Sequence, residues 1–116
     1  MHVIQSNKIS LTRGDTLNCQ VGIILDESPY SPTSGDVVKF YLKRSMMNPS
    51  KTAYADSKPL IEKTIPNDTM ILHLNPADTK SLPFGDYVYD CEITFANGDK
   101  DTFINNASFV LLPEVG

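Results

Sequence analysis

The residues best equipped for chemistry in this sequence are two cysteines, two histidines and a set of loop acids, and their spacing limits what they can do. Cys19 and Cys91 each stand alone, without the close second ligand that a structural zinc site needs. They suit either a cross-link between facing strands or a pair of small buried hydrophobes. The sequence has no export signal, so reduced thiols are the expectation. His2 and His73 are far apart, and His73 has no cysteine, second histidine or carboxylate beside it, so a solvent-facing strand position is expected. Asp15, Asp26, Glu27, Asp36, Asp68, Asp99 and Asp101 fall in turn-like segments. Their oxygens are of the kind that bind calcium. No regularly spaced ligand loop is present, however, and solvated turn acids are expected. No serine lies in a nucleophile elbow, and no glycine-rich phosphate loop occurs. No catalytic residue, cofactor or metal ligand is therefore assigned, and the chain is expected not to be an enzyme. Arg13-Gly14-Asp15 invites an adhesion reading, but the triplet is common by chance and stands where a tight turn is needed.

The elements that must position these residues are easiest to read between Asn75 and Phe95. Asn75 suits an N-cap, Pro76 the first helical position, and Asp78 the positive end of a short helical turn near 76–82. Pro83 and Gly85 end it. Tyr87, Tyr89, Cys91, Ile93 and Phe95 then alternate with Val88, Asp90, Glu92 and Thr94. Such period-two alternation marks a strand with one buried and one wet face. A tyrosine two residues before a cysteine, at a sheet corner, matches the tyrosine corner of immunoglobulin-like sandwiches.

The remaining chain reads as further strands. Residues 2–5 and 8–11 form a broken first strand with Ile9 and Leu11 inward. Thr16 to Leu25 is a second, with Leu17, Cys19, Val21, Ile23 and Leu25 on one face. Residues 26–36 are a loop by composition, and Val38, Phe40 and Leu42 follow as the inward side of a third strand. Phe40 is the expected core occupant where antibody domains carry tryptophan, which this chain lacks. Lys39 and Lys43 should face Asp90 and Glu92 across the solvent side, worth about 0.2–1 kcal/mol per pair. Residues 44–58 show no clear period and read as a long loop, with a short edge strand near 52–55. Residues 59–65 have the mixed phase of a partly buried edge strand, and Thr69 to Leu74 place Met70, Leu72 and Leu74 inward. Asn97-Gly98 signals a hairpin, and Asn105-Asn106 interrupts the returning strand by a bulge or a strand switch. The expected architecture is an all-β, immunoglobulin-like antiparallel β-sandwich of about 7–9 strands, with 1–116 as a single domain. Loops 26–36, 66–68 and 96–99 would share one acidic end.

Composition restricts partners. The chain has 116 residues, a net charge of −4 and a pI near 4.9, so no overall field favours nucleic acid or an anionic membrane. No apolar run approaches the roughly 18 residues of a membrane span. The first residues lack the basic start and apolar core of a signal peptide, so the protein is expected to stay in the cytoplasm where it is made.

Several segments resemble a known family. Residues 11–16 (Leu-Thr-Arg-Gly-Asp-Thr), Pro29-Tyr30, 35–40, 59–63 and 65–68 look like a family of small phage and prophage proteins of Gram-positive bacteria. Residues 78–82, 84–90 and Asn97-Gly98 followed by Asp101-Thr102 continue the match. The family is similar to the N-terminal domain of phage baseplate upper proteins, and the resemblance covers almost the whole chain. It implies a structural or interaction protein of a virion, a baseplate- or tail-associated adaptor whose partners are other phage structural proteins and copies of itself. The contact residues expected from the sequence are Met46, Met47 and Tyr54 as adaptable apolar groups, with Pro29 and Tyr30 as a second set. The alternative is a carbohydrate- or host-surface-binding module, since sandwich folds host such sites freely. Against it, the chain has no Trp and only five Tyr, of which Tyr87 and Tyr89 lie on the core face.

Overall fold

The computed structural model describes residues 2–5, 7–25, 27–47 and 53–114, with side chains placed over 7–24, 27–45 and 58–114. In chain order the strands are β1 (His2–Gln5), β2 (Lys8–Thr12), β3 (Leu17–Gln20), β4 (Ile23–Leu25), β5 (Ser28–Tyr30), β6 (Val37–Met47), β7 (Ala53–Ile65) and β8 (Ile71–Leu74). The helical turn α1 (Pro76–Lys80), β9 (Gly85–Thr94) and β10 (Lys100–Leu112) complete the chain. A six-stranded sheet runs in the order β1-β2-β10-β9-β6-β7, while β3 pairs with β8 and β4 with β5. The run β10-β9-β6-β7 corresponds to G-F-C-C′ of a variable-type immunoglobulin sandwich, and β3 beside β8 to its B–E pair.

Alternation explains the layers. Val38, Phe40 and Leu42 of β6, Tyr89, Cys91 and Ile93 of β9, and Leu17, Cys19, Leu72 and Leu74 of the small sheet are all buried in one hydrophobic cluster. Phe40 sits at its centre, 5.5 Å from the Tyr89 ring and 6.4 Å from Phe109, and is fully buried as expected. Truncating such a ring to alanine costs about 3–5 kcal/mol.

Several expectations change in detail. The large sheet is mixed, because β2 runs parallel to β10 with Ile9 opposite Phe109 and Leu11 opposite Leu111. The first strand is a hairpin rather than one broken strand: β1 folds back antiparallel on β2, next to Asn7 at φ +67°. The strand expected over 16–25 breaks after Gln20, and β4 turns away to pair with β5 inside the supposed 26–36 loop. The tyrosine corner belongs to Tyr87, whose hydroxyl donates to the Pro83 carbonyl oxygen at 2.5 Å. Tyr89, two residues before Cys91, donates instead to the Asn7 carbonyl oxygen. Asn105-Asn106 is a bulge, with Asn106 at φ +51° and the β9–β10 register shifting across it between Ile104 and Ala107, after a first shift between Thr102 and Ile104. The expected 44–58 loop is mostly ladder, since β6 runs to Met47 and β7 begins at Ala53.

Candidate interaction surface

Three regions of the molecule gather interacting polar groups or exposed apolar ones, with Ile24 and Ile71 exposed singly outside them. At the loop end, Asp36 is buried and accepts hydrogen bonds from the Tyr30 hydroxyl at 2.6 Å, the Thr33 backbone N–H at 3.0 Å and the Ala96 backbone N–H at 3.1 Å. Asn67 donates its side-chain amide to the carbonyl oxygens of Asp36 at 2.7 Å and Thr33 at 3.2 Å. The three loops expected to share one end are thus joined there. The Tyr30 hydroxyl, followed by the Thr33 N–H, holds the Asp36 carboxyl below its usual pKa against the opposing effect of burial. The same bond raises the Tyr30 phenol. Gly35 closes the turn at φ +97°, where a Cβ would come within 2.9 Å of the Ala96 Cβ. With these donors around its carboxylate, Asp36 is a loop clasp, and no group of three or more His, Cys, Asp or Glu suited to a metal occurs among the described residues.

The opposite end is built differently. The β6–β9 ladder stops at Arg44 opposite Tyr87, yet β6 and β7 stay paired through Ser45–Ala55, Met46–Tyr54 and Met47–Ala53. At about 3.3 Å per residue, this two-stranded arm runs about 10 Å beyond the last β6–β9 pair. At its base Arg44, Leu60, Leu82, Pro83, Phe84, Gly85, Asp86 and Tyr87 line a groove of about 220 Å³. Phe84 is 56% exposed and Leu60 37%. Arg13 lies over the Phe84 ring at 5.6 Å, pairs with Glu114 at 2.9 Å and donates to the Leu82 carbonyl oxygen at 3.3 Å. The Arg-Gly-Asp turn is therefore tied into this corner by its own arginine.

The third region is the outer face of the large sheet. Lys43 pairs with Asp90 at 2.6 Å, and the other Asp90 oxygen accepts the Asn106 backbone N–H at 2.7 Å, which holds the β10 bulge. Lys39 is opposite Glu92 in register, but its ammonium pairs with Glu62 at 3.1 Å. The expected stripe of lysines facing acids exists, and Glu62 of β7 is the member that the sequence reading missed. Tyr41, Lys43, Pro59, Asp90, Glu92 and Thr102 line a shallow groove of about 330 Å³ between the two salt bridges. Burial first, then the charges of Glu92 and Glu62, raises the Tyr41 phenol.

The residues singled out from the sequence fall as follows. Pro29 is exposed on β5, whereas Tyr30 is half-buried, with its ring edge-on to Phe95 at 5.7 Å. Met46 and Tyr54 are opposite one another on the arm and Met47 follows, with their side chains outside the described residues. Asp26 lies outside the described residues as well. His73 is exposed, its ring nitrogens 2.7 Å and 2.8 Å from the side-chain oxygens of Asn18 and Asn75. Cys19 and Cys91 are unbonded, buried, and line one cavity of about 60 Å³ between the layers. Burial pushes the Cys91 thiol up to about 12 and raises Cys19 too, so neither is a ready nucleophile. Phe84 and Tyr41 escaped the sequence reading, Phe84 as part of a Pro/Gly corner and Tyr41 as one outward residue among several. No described helix is long and apolar enough to cross a membrane.

No protein-family model, curated protein or solved structure matches the chain.

Proposed function

We propose that this chain is a non-enzymatic interaction domain of a phage particle, a baseplate- or tail-associated adaptor that docks on other virion subunits through its arm end. The observation that carries this reading is the β6–β7 arm, which extends past the last β9 partner beside a groove containing the exposed Phe84 and Leu60. A paired ladder presents backbone and side chains to a partner without further folding, and exposed apolar groups around a groove are the usual content of a docking surface. The sequence resemblance to small phage proteins supplies the virion context. The reactive side chains are engaged internally: Asp36 by three loop donors, His73 by two asparagines, and both thiols by burial.

The test is mass spectrometry on density-purified particles from an induced lysogen carrying this gene, in parallel with a variant whose residues 46–54 are replaced by an Asn-Gly turn. Peptides of the parent protein are expected at a fixed ratio to the major capsid or tail protein and are lost from particles of the arm-less variant. Absence of the parent from particles, while it is abundant in the lysate, would overturn the virion role. Incorporation of the arm-less variant at the parent's ratio would overturn the arm as the docking element.

A further inference from the structure

The outer-face groove lies on the opposite side of the sheet from the core, and nothing in the docking reading uses it. Its lining is centred on Tyr41, half-buried, which is opposite Asp90 of β9, while Lys43 is opposite Pro59 and Glu92 opposite Thr102. Two irregularities bracket it. The β6–β7 register shifts around Lys43, which is opposite Pro59, and the β9–β10 register shifts between Thr102 and Ala107. Such bulges bend a strand and re-aim its side chains, and residues beside both of them, Lys43 with Pro59 and Thr102, line this groove.

Lining chemistry narrows the ligand. A phosphate or carboxylate would meet a lysine already neutralised by Asp90 at 2.6 Å, with Glu92 nearby. A metal ion would find Asp90 occupied at both oxygens, by Lys43 and by the Asn106 N–H. A purely apolar ligand would strip water from charged groups without replacing their hydrogen bonds. A sugar ring fits on every count. Its C–H face can lie on an aromatic ring, while its hydroxyls donate to carboxylates and accept from ammonium and hydroxyl groups. The volume of about 330 Å³ is at the small end of ligand pockets.

We propose that this groove is a saccharide subsite, with Tyr41 as the stacking platform, Glu92 as acceptor for ring hydroxyls, and Thr102 and Lys43 as donors. The two flanking salt bridges, Lys39–Glu62 and Lys43–Asp90, hold the site's charged side chains in place before the ligand arrives. The subsite is independent of the arm, so a protein that docks by its arm can carry sugar-recognition capacity on this face.

The experiment is a titration of the full-length, nitrogen-15-labelled protein, followed by amide proton–nitrogen correlation spectra. The probes are methyl glycosides of glucose, galactose and N-acetylglucosamine, together with glucosamine; propylamine and inorganic phosphate serve as controls. Saturable shifts are expected at residues 41–43, 90–92 and 102 with at least one sugar at millimolar concentration. Tyr41→Ala is expected to weaken that binding by about tenfold or more, and Glu92→Gln by a smaller factor, with the remaining spectrum unchanged. Three results would overturn the proposal. One is no saturable shift with any sugar at tens of millimolar, and another is unchanged affinity in both variants. The third is a response to propylamine or phosphate equal to the response to the sugars, which would mean simple ion pairing.

Discussion

The loop end and the arm end of the large sheet solve opposite problems. At the loop end, three connections converge on the buried Asp36, which accepts from Tyr30, Thr33 and Ala96, while Asn67 ties the neighbouring carbonyl oxygens. Its polar groups are turned inward and satisfied by the protein itself. At the arm end, Phe84 and Leu60 face water beside a groove, and the β6–β7 ladder continues without β9. Exposed apolar residues scattered singly are ordinary. Grouped at the root of the β6–β7 arm, they are the feature on which the proposed docking rests. The loop end should therefore control stability and the arm end association.

The largest expected effect comes from Asp36→Ala, which leaves the Tyr30 hydroxyl and the Thr33 and Ala96 amides without their acceptor. Urea denaturation should show a lower midpoint at unchanged slope, and a drop larger than that for any single arm-end substitution. A midpoint within error of the parent would break the comparison. Next in size is an acid dependence. The folded pKa of Asp36 is held below the ordinary carboxylate value, so its contribution is complete at neutral pH. It is lost as pH falls below about 4 through the folded pKa. The stability difference between the parent and Asp36→Asn should accordingly be constant from neutral pH to about 5 and shrink below about 4, as read from denaturation midpoints across pH. A third effect sharpens the contrast within the arm end itself. Tyr87→Phe removes only the corner hydrogen bond to Pro83 and should cost about 1 kcal/mol by denaturant unfolding. Smallest of all for stability is Phe84→Ser, within about 1 kcal/mol because the ring contributes little beyond its contact with Arg13. That substitution should nevertheless reduce incorporation into particles, measured by the same mass-spectrometric ratio, whereas Asp36→Asn protein that remains folded should be incorporated normally.

How much of this could be read from the chain depends on whether a residue's neighbours lie in sequence or across the sheet. β9 was legible because its inward residues Tyr87, Tyr89, Cys91 and Ile93 are all buried in the core, and the alternation is broken only at Asp90, which is buried on the outer face under Lys43 and the Asn106 N–H. The hairpin at Asn97-Gly98 was legible because its turn is local: Gly98 takes φ +97° and its N–H donates to the Phe95 carbonyl oxygen. The arm was not, because among the described residues β6 past Arg44 is laddered to β7 and no longer to β9, a pairing that no local period announces. β7 looked out of phase for a related reason: the bulge around Lys43 and Pro59 inserts a residue and reverses parity at Leu60. The break after Gln20 was hidden too. Val21 donates its N–H to the Met70 carbonyl oxygen and remains buried, so the hydrophobic period runs on after the strand has ended. Of the residues tied to the candidate surfaces, the facing of Lys39 and Lys43 toward Asp90 and Glu92 followed from parity once an immunoglobulin-like strand order placed these two strands side by side. The partnership of Lys39 with Glu62 required knowing that β7 lies beside β6.

The parallel contact between β2 and β10 has a consequence for how the molecule is made. Ile9 is opposite Phe109 and Leu11 opposite Leu111, so the sheet joins segments about a hundred residues apart through its most deeply buried side chains. Closing so long a loop carries an entropic cost that must be met before the contact is rewarded. During synthesis β9 is exposed along one edge until β10 has left the ribosome, and the β1–β2 hairpin has no sheet to join. Folding is therefore expected to be slow and to depend on the last strand, with a newly made chain vulnerable to edge-to-edge pairing until residues 100–112 are in place.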